Sequence, residues 1–218
     1  MRSKTASVLP FILAMALVVV ASNILVQFPV EGQVGPLSLA DILTWGAFTY
    51  PLAFLVTDIM NRVYGTSAAR RVVLVGFVVG LICSLIGTQI MGEFGPLVTV
   101  RIAIGSGLAF LVAQLIDVSI FSALKNGAWW RAPLVSTLIG STVDTALFFS
   151  IAFSGALSFI HPATDVSWAA DSLPLLGSGP MAPLWVSLAV ADWAVKLSIA
   201  LIALIPFRVI TGRLLRTA

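Results

Sequence analysis

The sequence predicts an all-α polytopic membrane protein with six transmembrane helices and both termini in the cytoplasm. Of its 218 residues, 59% are hydrophobic and only 10% charged, against about 25% charge in soluble domains. The mean hydropathy is +1.08. The apolar residues fall into six runs of about 20 residues or more, the length that crosses ~30 Å of hydrocarbon as a helix. Lysine and arginine gather in alternate connections between those runs, as the positive-inside rule requires.

The first run covers about 8–28 and ends at Pro29. Arg2 and Lys4 ahead of an apolar core could also open a secretory signal. However, signal cores are about 7–15 residues and precede a small-x-small cleavage site, and neither holds here, so the run is read as a retained helix. A polar link through Glu31, Gly32, Gln33, Gly35 and Pro36 leads to the second run, about 43–63. The third, about 72–91, is stopped by Gly92-Glu93-Phe94-Gly95-Pro96, where glycine and proline punctuate the helix. The fourth, about 98–124, is long enough to tilt. The fifth covers about 133–159 and the sixth about 182–207, with a break expected at Pro206. The longest loop, 161–180, lies between these two and is rich in Gly, Pro, Ser and Asp. Residues 1–218 thus form a single transmembrane domain, and any function must be built inside the bilayer.

With the N-terminus inside, the cytoplasmic segments hold Arg2, Lys4, Arg62, Arg70, Arg71, Lys125, Arg131, Arg208, Arg213 and Arg216, ten cations with no acid. The outer segments hold Glu31, Asp41, Glu93, Asp165 and Asp171, with Arg101 near the outer end of the fourth helix. The net charge of +3 is therefore topological and implies no nucleic-acid partner. The single cysteine, Cys83, lies in an apolar run, so there is no disulfide framework. Trp129, Trp130, Trp168 and Trp185 suit the membrane interface. No metal set, cofactor motif or GxxxxGK[ST] phosphate loop is present.

Five charges remain within the spans: Asp58, Asp117, Asp144, Asp192 and Lys196. Each costs about 2.5–3.5 kcal/mol near a helix centre, roughly 12–18 kcal/mol together, so they must pair, take up protons or line a wet cavity. Helical spacing shows what accompanies them. Tyr50, Phe54, Asp58 (beside Thr57) and Asn61 share one face of the second helix. Ser106, Phe110, Gln114, Asp117 and Phe121 share one face of the fourth, and Thr137, Ser141, Asp144 and Phe148 one face of the fifth, with Gly140 beside it. Asp192 and Lys196 stand one turn apart on the sixth. Small residues on these stripes also serve as helix contacts, and Asp192–Lys196 reads equally as a structural pair or a coupling site. Aromatic plates alternating with amides, hydroxyls and carboxylates suit a small planar ligand with polar edges, a nucleobase, a pterin or another vitamin.

The stretch 50–77, YPLAFLVTDIMNRVYGTSAARRVVLVGF, resembles the signature of the queuosine precursor transporter family, six-helix inner-membrane proteins of bacteria also described as vitamin-uptake-like. The matching residues are Tyr50-Pro51-Leu52, Phe54-Leu55, Thr57-Asp58, Asn61, Tyr64-Gly65, Ala69-Arg70-Arg71 and Gly76-Phe77. Arg101, Ala109-Phe110, Gln114, Asp117-Val118 and Phe121 match the fourth helix; Val135-Ser136-Thr137, Asp144-Thr145 and Phe148 match the fifth; Lys196 matches the sixth more weakly. Arg62, Ala113 and Ser141 depart from the family's usual acid, serine and glutamine. These departures bear on the ligand edge more than on the fold. The resemblance implies import of 7-cyano-7-deazaguanine or 7-aminomethyl-7-deazaguanine for tRNA modification, across the bacterial inner membrane.

The reading is of a six-helix importer, not an enzyme, with a solvated mid-depth site between helices two, four, five and six. Substrate-binding candidates are Tyr50, Phe54, Asp58, Asn61, Ser106, Phe110, Gln114, Asp117, Ser141 and Asp144. In this assignment Asp58 or Asp117 accepts the N–H edge, and Phe54 and Phe110 stack on the base. Arg71, Asp192 and Lys196 are assigned to a polar network or coupling. The alternative is a substrate-capture subunit that needs a separate energising complex. An intramembrane serine enzyme at Gly105-Ser106-Gly107 is disfavoured because no histidine lies in any span to act as base. A scaffold would not need several aligned acids. The partners expected are the bilayer and a planar 7-deazapurine; the sequence leaves a homo-oligomer and the energy source open.

Overall fold

A computed structural model describes residues 4–35, 37–93 and 95–217; Arg2, Pro36 and Phe94 of the features above lie outside the described residues. Five helices are long and apolar enough to cross a membrane. They are α1 (Lys4–Leu25), α4 (Thr66–Gly87), α5 (Val100–Leu124), α6 (Arg131–Phe153) and α7 (Leu184–Thr217).

The second expected span is divided into α2 (Gly46–Thr49) and α3 (Leu52–Tyr64). Between them Tyr50 (φ −55°, ψ −40°) and Pro51 (φ −61°, ψ −18°) stay in the right-handed helical region, so the chain holds its direction through 46–64. Pro51 has no N–H to give, and the Ala53 and Phe54 amides bond to the carbonyls of Tyr50 and Pro51 three residues back, tightening the first turn of α3.

Other boundaries also move. The third helix starts at Thr66 rather than near 72: Gly65, at φ 87°, turns the chain, and Ala68, Ala69, Arg70 and Arg71 are good helix formers that continue it back to that turn. The fifth ends at Phe153 rather than 159, because Ser154 is extended and 155–160 form 3-10 turns. The break expected at Pro206 does not occur; α7 continues through it to Thr217. A single proline deletes one backbone hydrogen bond, which the flanking turns tolerate inside a membrane helix. Pro10 sits inside α1 in the same way.

Packing is inverted relative to a soluble bundle. Leu9, Leu13 and Leu17 on α1, Leu74, Val78 and Leu85 on α4, and Leu201, Ile202 and Ile205 on α7 are exposed, reaching 70% at Leu17. Meanwhile Thr57, Asp58, Asn61, Arg101, Gln114 and Asp117 are buried. Only an apolar surrounding makes that arrangement favourable. α3 is the hub, touching α1, α4, α5, α6 and α7, and the α5–α6 interface is the most extensive. Gly105 and Gly140 lie in that interface: a Cβ on Gly105 would meet Ile151 and the Phe148 carbonyl at 3.4 Å, and one on Gly140 would stand 3.4 Å from the Ala113 carbonyl.

Three short antiparallel hairpins lie at one end of the bundle: β1 (Gln33–Val34) with β2 (Leu37–Ser38), β3 (Met91–Gly92) with β4 (Gly95–Pro96), and β5 (Ser172–Pro174) with β6 (Met181–Pro183). Leu37 of the first lies against Gly177 between the last two strands. At the same end the Asp165 carboxylate accepts the Ser167 N–H at 2.9 Å, which holds its carboxyl below the usual range. Arg62, Arg70, Arg71, Lys125 and Arg131 sit at the opposite end, around the α3–α4 and α5–α6 turns. Arg62 donates to the Lys125 carbonyl there, tying the two turns together.

Candidate functional site

The buried polar residues fall into layers along α3. Nearest the hairpin end, Tyr50 donates its phenol to Asp144 Oδ1 at 2.8 Å. Lys196 Nζ bridges Asp144 Oδ2 and Asp192 Oδ2, each at 2.6 Å. Thr145 completes the ring, donating to Asp192 at 2.9 Å and accepting from Lys196 at 3.1 Å. The ammonium also lies 5.2 Å from the centre of the Tyr50 ring. Two acids thus share one cation, each placing one oxygen on it.

Eight residues along α3, about 12 Å at 1.5 Å per residue, is the second layer. Asp58 accepts from Thr137 at 3.2 Å and, at the limit, from Ser136 at 3.5 Å. Thr57 donates to Gln114 Oε1 at 2.8 Å. Asp117 is fully buried, and neither of its carboxylate oxygens makes a hydrogen bond of normal length among the described residues. The side chains beside it are the Asp58 carboxyl and the Ser136 hydroxyl. Two bare carboxylates so placed would repel strongly, because little solvent screens them. Gln114 Nε2 is likewise without a partner.

A third layer holds helices together. Asn61 Nδ2 donates to the Val118 carbonyl at 3.0 Å and to Ser122 Oγ at 3.1 Å, and Ser122 lies 2.8 Å from Thr66. Asn61 thereby rivets α3 to α5.

Two openings flank the second layer. A groove between α1, α4 and α5 toward the hairpin end is lined by Val19, Asn23, Tyr50, Gly76, Phe77, Gly80, Leu81, Ser84, Ser106, Gly107 and Phe110, with about 40 Å³ free. On the other side, Asp58 and Thr137 open onto a cleft closed by Pro51, Leu55, Pro133, Ala200, Ala203, Leu204 and Phe207, with about 10 Å³ free. A single water needs about 10–15 Å³ by this measure. The Asp58 cleft therefore has room for about one water in this conformation, with Asp144 and Asp192 held on Lys196 and Asp58 against Asp117.

The expected residues accordingly divide. Tyr50, Ser106 and Phe110 meet in the groove, where the Tyr50 and Phe110 rings stand edge to face at 6.1 Å. Asp58 faces the opposite cleft. Phe54 is buried against Gly140, whose Cβ would stand 2.8 Å from its ring. Ser141 donates to its own helix at the Thr137 carbonyl. Arg71 lies exposed in the second turn of α4, at the bundle's end rather than in the polar network. Asn23, Phe77 and Ser84 were missed. The legible signal for them was the spacing Gly76, Gly80, Ser84 on α4 facing Met15, Val19, Asn23 on α1, two parallel strips four residues apart.

The family whose sequence model matches residues 44–211 is described as "Putative vitamin uptake transporter". The chain is 33% identical over 201 residues to the "Queuosine precursor transporter" of Escherichia coli, covering 87% of this chain and 79% of that protein. It is 33% identical over 208 residues, with the same coverage, to the "Probable queuosine precursor transporter" of Haemophilus influenzae. To the relative of the same description in Bacillus subtilis it is 28% identical over 181 residues, covering 74% of this chain and 68% of that one. No solved structure matches. With most of its length under that model and 33% identity to two of these transporters over 87% of the chain, the chain belongs to the queuosine precursor transporter, or vitamin uptake transporter, family.

Proposed function

We propose that the chain imports a 7-deazaguanine queuosine precursor, and that the groove between α1, α4 and α5 receives the base. Its floor is flattened by Gly76, Gly80 and Gly107, its walls carry Tyr50, Phe77 and Phe110, and Asn23, Ser84 and Ser106 supply polar edges. Asn23 Nδ2 donates to the Val19 carbonyl at 2.9 Å, which leaves its amide oxygen to accept from a ligand N–H. Flat walls, aromatic faces and a few placed polar groups are what a planar heterocycle needs. The carrying observation is this convergence of three rings and three glycines. The relatives' names supply the substrate class.

In this reading 46–64 completes a sixth crossing, the hairpin end faces outward, and the arginine-bearing turns face the cytoplasm of a bacterial inner membrane. The groove then opens toward the outside and the Asp58 cleft lies toward the inside, with Phe54, Gln114 and Asp117 closing the path between them. The conformation is a closed one, and a base enters only as α1 and α4 part from α5. Tyr50 connects the two tasks, because its ring lines the groove while its hydroxyl reads the ion pairs of the first layer.

The test is uptake of labelled 7-cyano-7-deazaguanine by cells unable to make it and lacking their own transporter. Expression of the chain should restore accumulation, and Phe110→Ala should reduce it at least tenfold. Absence of uptake by protein verified in the membrane would overturn the reading.

A further inference from the structure

We propose that the Asp58–Asp117 pair is a proton-binding site whose loading holds the bundle closed and whose release couples import to the proton gradient. This rests on the transport reading above, which left the driving force open.

The geometry is specific. Asp117 is completely buried, and neither of its oxygens makes a hydrogen bond of normal length among the described residues, the Ser136 hydroxyl being the donor beside it. Asp58, 2% exposed, meets it from α3 and has only Thr137 and the distant Ser136 as donors. Among the described residues no cation forms an ion pair with either of them. From α6 the facing groups are the two hydroxyls just named, and among the described residues α1 and α4 present no charged group to the pair. From α7, Lys196 stands one turn before Ala200 and is already held between Asp144 and Asp192, and Arg208, next to Phe207, lies over the Trp129 ring. Two carboxylates in such a place coexist when one proton lies between them, donated by one and accepted by the other. A metal ion is a poorer occupant, because no group of three or more acidic, histidine or cysteine side chains stands together among the described residues, and a dehydrated cation wants more ligands than the pair and two hydroxyls provide.

The site also has a way out. Asp58 borders the small cleft beside Thr137, Leu204 and Phe207, on the side of the pair away from the substrate groove. When the shared O–H bond breaks and the proton leaves through that cleft, two like charges remain in contact and push α3 from α5. When a proton returns, the bond re-forms and the helices close. Nothing is oxidised or reduced, and the pair's charge changes by one unit per cycle. Binding a proton in one arrangement and not the other is the differential affinity that a coupled cycle requires.

The experiment uses the purified full chain in liposomes, with labelled 7-cyano-7-deazaguanine. An inward-directed pH gradient should drive accumulation at least tenfold above equilibration, and a protonophore should abolish the gain. Asp58→Asn and Asp117→Asn should lose the gradient-driven gain, so that whatever uptake they retain is the same with and without the pH gradient. Infrared difference spectra should show a protonated-carboxyl band in the parent that is absent from both variants, a readout independent of transport. Accumulation insensitive to the pH gradient, dependence on sodium instead, or a band unchanged in the variants would each overturn the proton site. Absence of uptake by the parent would count against the transport reading itself, and the carboxyl band would still decide the pair's protonation. If either asparagine variant fails to fold, Asp117→Glu, which keeps the acid and lengthens it, should retain the band with weakened coupling; normal coupling with no band would overturn the assignment.

Discussion

The phenol of Tyr50 donates 2.8 Å to Asp144 Oδ1 across the bundle, while the same ring forms part of the groove wall. One side chain thus touches both the place where a base would stack and the ion network joining α6 to α7. Tyr50→Phe separates the two functions. The ring stays, and a buried carboxylate oxygen loses a donor, which costs about 1–3 kcal/mol. The expected result is a lower unfolding temperature in detergent and base affinity within about threefold of the parent. Transport should slow more than binding, because the signal from groove to network is cut.

Lys196 is held between two acids, and it is 4% exposed. Breaking a buried pair by deleting one partner costs about 3–5 kcal/mol because the other charge is stranded. Lys196→Met strands two. Asp192→Asn removes the less buried acid and leaves Lys196 paired with Asp144, so it should be mildest. The expected order of destabilisation is Lys196→Met, then Asp144→Asn, then Asp192→Asn, read by thermal unfolding of each purified variant. Equal losses for all three would mean the ring is not organised around the ammonium.

Glycines around the groove differ in what they tolerate. A Cβ at Gly107 would lie 3.6 Å from Phe77, ordinary contact, whereas one at Gly76 would come within 2.8 Å of Met15 and 2.9 Å of Phe110. Gly107→Leu should therefore fold with little change in stability and fill the groove, abolishing uptake. Gly76→Leu overpacks and should cost at least 1–3 kcal/mol. The measurement pairs uptake with unfolding temperature: a blocked but stable Gly107→Leu places the substrate in the groove, and a fully active one removes it from there.

Much of this was legible in the residues. Helical spacing placed Tyr50, Asp58 and Asn61 on one face, and the i, i+4 pair of Asp192 and Lys196 formed as expected. What spacing could not supply was the partner across the helix boundary. Asp144 and Asp117 carry the same side chain on similar stripes, yet one meets an ammonium and the other meets a second acid, a difference set by how α3, α5, α6 and α7 are rotated. The groove was missed for a related reason. It is made by what glycines omit, and α1 and α4 bear only neutral groups there, so no expensive charge pointed to it. The short α3 was legible as apolar but not as divided, because Pro51 keeps helical torsion while ending the regular hydrogen bonding.

Arg101 yields the last prediction. A guanidinium inside hydrocarbon is costly, yet this one is fully buried in the first turn of α5. Its Nε donates to the Ile151 carbonyl at 2.9 Å and its Nη2 to the Ser154 carbonyl at 2.7 Å. Those carbonyls lie in the last turn of α6 and at its C-cap, where the helix dipole is negative, and the Ser154 carbonyl also accepts from the Leu157 N–H at 3.1 Å. Arg101 is therefore a cap supplied by one helix to its antiparallel neighbour, and it explains why α6 can stop at Phe153 while still near the membrane. Hydrogen bonds to a charged group contribute about 1.5–3 kcal/mol each, so Arg101→Met should destabilise by roughly 3 kcal/mol or more. Arg101→Lys, a single-point donor that cannot span both carbonyls, should recover about half. Hydrogen exchange should accelerate selectively at the 150–155 amides in both variants, while the amides around Asp58 and Lys196 keep their protection. Uniform acceleration along α6 would mean that the guanidinium supports the whole α5–α6 interface rather than its end.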